Sequence, residues 1–240
     1  MSTAPRSEFT LASIDAASAA VRQRALLRRA ALWAALLLAF VALALIDQRL
    51  LLAVAPDTAD ARERIANKDW NRLLRVAGYV PTWLLVAFCL WLHDAWSTRR
   101  GHRPALPEDP RPLSVPDRAV LLVLGVAAAG LVAELGKVLV QRHRPVLDDA
   151  APAWVLQWAQ SAPYDASFAM PSSHAAVAFG AAFALGRLFP AVRWPVLALA
   201  IGCGLTRMLA GRHFATDILV AGVLAYLGVA LVWRVAARVR

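Results

Sequence analysis

Six stretches of mostly apolar residues follow one another along this chain, at about 30–54, 74–93, 119–141, 173–190, 194–210 and 214–234. Each is close to the roughly 20 residues that an α-helix needs to cross the hydrocarbon core of a bilayer. Lipid offers no hydrogen bonds to a backbone, so successive runs of this kind leave a helical bundle as the natural solution. Composition agrees. With 60% hydrophobic residues and a mean hydropathy of +0.53, the chain is too apolar for an ordinary soluble domain. The expectation is an all-α polytopic membrane protein: a six-transmembrane-helix bundle over residues 30–240, preceded by a basic cytoplasmic segment over 1–29.

Details of the runs sharpen this picture. Asp47-Gln48-Arg49 interrupts the first run, which either ends near Ile46 or continues as an amphipathic turn. Pro81 lies inside the second and predicts a local kink, tolerable in a membrane helix. Pro116-Asp117-Arg118 reads as a helix start for the third. Ala53-Val54-Ala55 resembles a cleavage site, but the run before it is too long for a signal-peptide core, so a retained first helix is expected. Cys89 and Cys203 both fall in apolar runs and read as packing residues, not as a disulfide.

The net charge of +10 raises the question of nucleic acid. The arginines lie mainly in short connections between apolar runs, as topology signals do, so no nucleic-acid partner is expected. With the N-terminus inside, the cytoplasmic side holds Arg22, Arg24, Arg28 and Arg29, then Arg99 to Arg118, Arg187, Arg193 and the C-terminal arginines. The opposite side dilutes Arg62, Arg64, Lys68 and Arg72 with Asp57, Asp60, Glu63 and Asp69. Both termini are therefore expected in the cytoplasm, in the inner membrane of a bacterial cell.

Lys137, Arg144, His174, Arg207, His213 and Asp217 can now be placed. Charge next to hydrocarbon is costly and marks a functional site by default. Lys137 lies 19 residues beyond Arg118, roughly 28 Å along a helix, and so approaches the outer face with Arg144. His174 opens the fourth run on that face, Arg207 closes the fifth, and His213 and Asp217 open the sixth. Helix counting alone brings all six to one boundary.

Their chemistry suits a phosphate ester. Lys137, Arg144 and Arg207 can neutralise the three equatorial oxygens of a phosphoryl transition state. Pro171-Ser172-Ser173-His174 reads as a helix start, with Ser172 a candidate N-cap and the exposed amides an anion site. His174 supplies an acid for a departing alkoxide. His213 and Asp217, four apart, share a helical face, so the carboxylate can fix the imidazole tautomer and leave the other nitrogen as a nucleophile. Taken singly, each cation also reads as a snorkelling side chain and the His213–Asp217 pair as a structural hydrogen bond. Taken together in one place, they read as a catalytic cage.

The order and spacing carry a resemblance. A lysine, six residues and Arg144-Pro145 come first; then Pro171-Ser172-Ser173-His174; then Arg207, five residues, His213, three residues and Asp217. This resembles the three-part signature of the type 2 phosphatidic acid phosphatase family, the lipid phosphate phosphatases related to the vanadium haloperoxidases. The resemblance implies that His213 forms a phosphohistidine, Asp217 orients it, and His174 protonates the leaving group and then activates water. It implies phosphate binding by Lys137, Arg144, Ser172, Ser173 and Arg207, with no metal and no cofactor. There are two departures: Ser173 stands where the family usually has glycine, and Thr206 where it usually has serine.

The expected activity is hydrolysis of a lipid phosphomonoester or diphosphate, with the bilayer and a lipid phosphate as partners. Undecaprenyl diphosphate, phosphatidate, phosphatidylglycerophosphate and a lipid A phosphate all remain open as substrates. A non-catalytic anion-binding or transport protein, a lipid phosphotransferase and a vanadate-holding oxidant are the rivals. Glu134 reads as an ion-pair partner of Lys137 or a tuner of the site, and His143 as an interfacial histidine. The connection over 146–170, with Trp154, Leu156 and Trp158, suggests an interfacial helix that either anchors the protein or recognises a headgroup.

Overall fold

The computed structural model describes residues 11–102, 105–106, 109–112, 114, 117–145 and 168–239. Eight α-helices dominate it: α1 (Leu11–Val54), α2 (Ala59–Ala66), α3 (Asp69–Val76), α4 (Val80–Arg99), α5 (Asp117–Val140), α6 (Ser173–Leu188), α7 (Arg193–Leu209) and α8 (Ala215–Val239). The fold is all-α as expected; one short antiparallel pair, β1 (Ala105–Leu106) with β2 (Asp109–Pro112), accompanies the helices. It sits in the proline-rich connection ahead of α5.

The chain divides into two compact units, Met1–Leu45 and Ile46–Arg240. The first contains most of α1, whose apolar side chains, such as Leu37 and Leu38, are exposed as a lipid-facing surface requires. The second contains the remaining helices and every residue of the expected site.

All six apolar runs form helix, but their lengths differ. α1, α5, α8 and Pro190–Leu209, which is α7 with the 3-10 turn before it, are long and apolar enough to cross a membrane. The second run is broken: α3 and α4 together would make a fifth crossing, bent by 66°. α6 has 16 residues, about 24 Å of helix, short of the usual hydrophobic thickness. By length and composition the count is four, or five with the bent pair.

The break has a physical reason different from the expected proline kink. It falls at Ala77–Tyr79, and Pro81 occupies the first turn of α4, where its missing N–H leaves no helical bond unmade. Gly78 sits at the break. A Cβ there would lie 2.9 Å from His174 Cβ and 3.0 Å from Cys203 Sγ, so only glycine lets this turn press against the start of α6.

α6 is the centre of the second unit, packed against α5, α7 and α8. Its sequence explains this: Ala175, Ala176, Ala178, Gly180, Ala181, Ala182 and Ala184 are all buried. Apolar attraction between helices is weak in lipid, so close backbone approach by small residues carries much of the association.

α1 does not stop at Asp47. The carboxylate is fully buried and hydrogen-bonded, so the helix runs on to Leu51 and Val54. There Leu51 and Ala55 pack with Met208 and Phe214 at the α7–α8 turn. At the far end of α5, Arg118 holds the fully buried Asp94 of α4 through Nε at 2.9 Å and through Nη2. Arg118, expected as a helix-start and topology residue, thus also ties α4 to α5.

Candidate active site

Two left-handed residues shape the site. Gln141, at φ 49°, ends α5 just after Lys137 and turns the chain so that Arg142 points inward. Non-glycine residues seldom adopt such angles, so the segment from 142 to 145 is held by its contacts. Ala169 N donates to Arg142 O at 2.7 Å, and His143 pairs with Phe168 in an isolated antiparallel bridge. Gly211, at φ 63°, turns the chain between α7 and α8 and delivers His213 one turn before Asp217.

His213 is 3% exposed and Asp217 is fully buried. His213 Nδ1 stands 3.5 Å from Asp217 Oδ2, and no hydrogen bond is closed at Nδ1 among the described residues. That distance is beyond the 2.7–3.2 Å of a made N–H···O bond, although catalytic bonds are often long before substrate binds. Asp217 is itself firmly placed. Its Oδ2 accepts from Phe214 N at 2.9 Å and its Oδ1 from Arg142 Nη1 at 2.9 Å. Burial pushes the His213 imidazole below the ordinary histidine value of 6.5; Asp217 opposes this, while Arg207 and Arg144 add to it.

His174 opens α6 half-exposed, its ring edge-on to Tyr79 at 5.2 Å. It lies within electrostatic reach of Arg207, His213, Arg75 and Lys137, and Arg207 feels Arg144, Arg75 and Arg212 in turn. The structure therefore brings the expected histidines, aspartate and cations together. Arg207 Nε is buried with no hydrogen-bond partner among the described residues, as is Ser172 Oγ. Buried polar atoms of this kind normally have partners, so these two suit groups that meet a ligand anion.

Ser172 departs from its expected role. It occupies the N-cap position of α6 but makes no side-chain cap, and its amide donates to Asp217 O at 3.2 Å. The amides left for an anion at this helix start are those of Ser173, His174 and Ala175, since Ala176 N already donates to Ser172 O at 2.9 Å. Ser173, the first departure from the family pattern, sends its hydroxyl to Glu134 Oε1 at 2.5 Å. Glu134 also takes Lys137 Nζ at 3.1 Å, so it is indeed the ion-pair partner of that lysine and a link to α6 as well. Thr206, the second departure, spends its hydroxyl on Cys203 O at 2.7 Å within α7.

Three residues escaped the sequence reading. Arg142 is fully buried: Nη1 donates to Thr216 Oγ1 at 2.6 Å and to Asp217 Oδ1, and Nη2 to Asp47 Oδ2 at 3.2 Å. Asp47 accepts from both the amide and the hydroxyl of Thr216. Arg142 also lies over the Phe214 ring, 4.1 Å from its centre. Arg75 of α3, a further cation near His174 and Arg207, is brought in by the break at Gly78. The available signal was ordinary: Asp47 is an acid inside an apolar run, a costly placement that calls for a partner.

The other expectations fall outside the cage. His143 packs edge-on against Phe168 at 5.5 Å. The connection over 146–170 lies outside the described residues up to 167. Cys89 and Cys203 are free thiols. No group of three or more His, Cys, Asp and Glu side chains among the described residues is placed to share a metal ion. A cleft of about 450 Å³ between α6, α7 and α8 is lined by residues such as Arg187, Arg193 and Tyr226 and includes no residue of the cage.

Comparison with known proteins gives two matches. It is 36% identical over 100 residues to a lipid A 1-phosphatase of Rhizobium johnstonii, which covers 41% of this chain and 39% of that protein. The chain thus aligns with about two-fifths of the length of this curated relative. No solved structure matches. The profile of the PAP2 superfamily matches residues 118–240, the stretch from the start of α5 that carries Lys137, Arg144, His174, Arg207, His213 and Asp217, and the chain belongs to that superfamily.

Proposed function

We propose that this protein is an integral membrane lipid phosphatase that releases phosphate from a lipid phosphomonoester or diphosphate. The observation that carries the reading is the buried His213–Asp217 pair, set within reach of a second histidine and of cations from three separate segments. Binding alone needs the cations but no oriented nucleophile, which weighs against a purely anion-binding or transport role.

In this reading Lys137, Arg144, Arg207, Ser172 Oγ and the first-turn amides of Ser173, His174 and Ala175 hold the phosphoryl oxygens. Asp217 keeps the proton of His213 on Nδ1, and Nε2 attacks phosphorus as the bond to the leaving oxygen breaks. His174 delivers its proton to that oxygen. Water then attacks phosphorus as the P–N bond to Nε2 breaks, His174 takes the water's proton, phosphate is released and neutral His213 is regenerated. The three cations supply the electrostatic stabilisation that a metal gives elsewhere, so the reaction proceeds without one.

The topology follows the same proposal. The bent α3–α4 pair and the short central α6 complete six crossings over residues 30–240, with 1–29 as a basic cytoplasmic segment. Both termini lie in the cytoplasm of a bacterial inner membrane and the site opens at the outer face. A site at the bilayer boundary takes a lipid headgroup while its tail stays in the membrane. The relative's name puts lipid A 1-phosphate first among the substrates; undecaprenyl diphosphate, phosphatidate and phosphatidylglycerophosphate follow.

The test is phosphate release by purified protein in detergent, with chelator, over that panel of lipids. Turnover of at least one lipid is expected, with a loss of roughly 10⁴-fold or more in His213→Ala. Wild-type turnover in that variant, or turnover restored only by added metal, overturns the mechanism. A phosphorylated acceptor in place of free phosphate identifies a transferase.

A further inference from the structure

The buried cluster behind Asp217 holds two carboxylates and shares one guanidinium between them. Arg142 gives Nη1 to Asp217 and Nη2 to Asp47, and Thr216 binds Asp47 through both its amide and its hydroxyl. Every one of these groups is at most 1% exposed, so water screens none of them. A guanidinium committed to Asp217 alone would cancel much of the charge that His213 relies on. Sharing it with Asp47 leaves Asp217 anchored through Oδ1 while its other oxygen, toward His213, keeps its negative character.

We propose that Asp47 and Arg142 are positioning residues for His213: Arg142 fixes the plane of Asp217, and Asp47 draws off enough of the Arg142 charge for Asp217 to support a cationic His213. The inference rests on His213 as the nucleophile, because the phosphorylated imidazole is the species that carries the positive charge. Its geometry spans the second unit: Asp47 comes from α1, Arg142 from the segment after α5, and Thr216 and Asp217 from the first turn of α8. The other groups facing His213 are Arg207 of α7, Arg144 and, across the cage, His174 of α6. All of these are cations or a histidine. Asp217 is therefore the only acid acting directly on His213 among the groups named, which is why its charge has to be protected.

The two positioning residues act with opposite signs, which a merely structural role does not produce. In Asp47→Asn, Arg142 turns its whole charge on Asp217, the imidazolium is less supported, and His213 titrates lower. In Arg142→Gln, both carboxylates are released, and His213 titrates higher. Each shift is on the order of one to two units, the size of a unit charge change at about 8 Å at an effective dielectric constant of about 20.

The experiment is a titration of histidine ring nitrogens by NMR in ¹⁵N-histidine-labelled full-length protein in detergent. His213 is assigned by comparison with His213→Gln, and the acid limb of kcat/KM for phosphate release is recorded in parallel. Opposite shifts in the two variants support the proposal. An unshifted His213 in Asp47→Asn, or shifts of the same sign in both, overturns it. If Arg142→Gln does not fold, the near-isosteric Asp47→Asn decides alone by the direction of its shift. The NMR arm does not need turnover, so a protein inactive on every lipid tested would defeat the phosphatase reading and still leave this titration to judge the pair.

Discussion

The two ends of α5 each pair an arginine with a fully buried aspartate, and the two pairs are built differently. At the start, Arg118 closes on the single carboxylate of Asp94 with both Nε and Nη2. Just past the other end, Arg142 divides its donors among Asp217, Asp47 and Thr216. The first arrangement matches one fork to one carboxylate, and its work is to tie α4 to α5. The second leaves a carboxylate oxygen 3.5 Å from a buried imidazole. Burial and ion pairing therefore do not mark a candidate site by themselves; an acid with one oxygen turned toward a buried histidine does.

That contrast can be broken by exchanging the outcomes of two isosteric changes. Asp217→Asn is expected to cut kcat by roughly 10²–10⁴-fold, because it removes both the tautomer lock and the charge under the imidazole. Asp94→Asn is expected to leave kcat of the folded protein alone and to lower stability by about 3–5 kcal/mol, the usual cost of stranding a buried partner. Thermal unfolding in detergent beside initial rates separates them. A catalytic loss in Asp94→Asn without a loss of stability would erase the distinction. A smaller effect should follow from Arg75→Gln, which removes the cation that the break at Gly78 brings near His174 and Arg207: about a tenfold fall in kcat/KM, with unchanged unfolding temperature. An unchanged kcat/KM would place Arg75 outside the cage.

The pH dependence of turnover bears on the same pair. Burial holds His213 below the ordinary histidine value, so the neutral nucleophile should persist on the acidic side of 6.5, and activity should fall only when pH drops below that lowered value. Asp217→Asn removes the one partner that raises it, and should move the acid limb further down.

Much of this was legible in the sequence, for reasons that depend on range. Apolar runs of membrane length need no partner to be recognised, and all six became helices. The candidate site was legible because its residues sit at helix ends, where spacing in the chain translates directly into position. Asp47 was read as a break in the first run because its partners, Arg142 and Thr216, are 95 and 169 residues away. Arg142 was passed over between the motif residues, since spacing says nothing of the inward turn that Gln141 imposes. Pro81 was read as a kink because the close packing of Gly78 on His174, which fixes the true break, is a contact between distant segments.

The central claim is a covalent His213 intermediate, and phosphorus stereochemistry tests it most directly. A lipid phosphomonoester made chiral at phosphorus with oxygen isotopes and sulfur, hydrolysed by the wild-type protein, should yield thiophosphate with retained configuration. Attack by His213 and then by water each inverts the centre, so two displacements restore it. Inversion would mean a single direct attack by water, and would contradict the role assigned to His213.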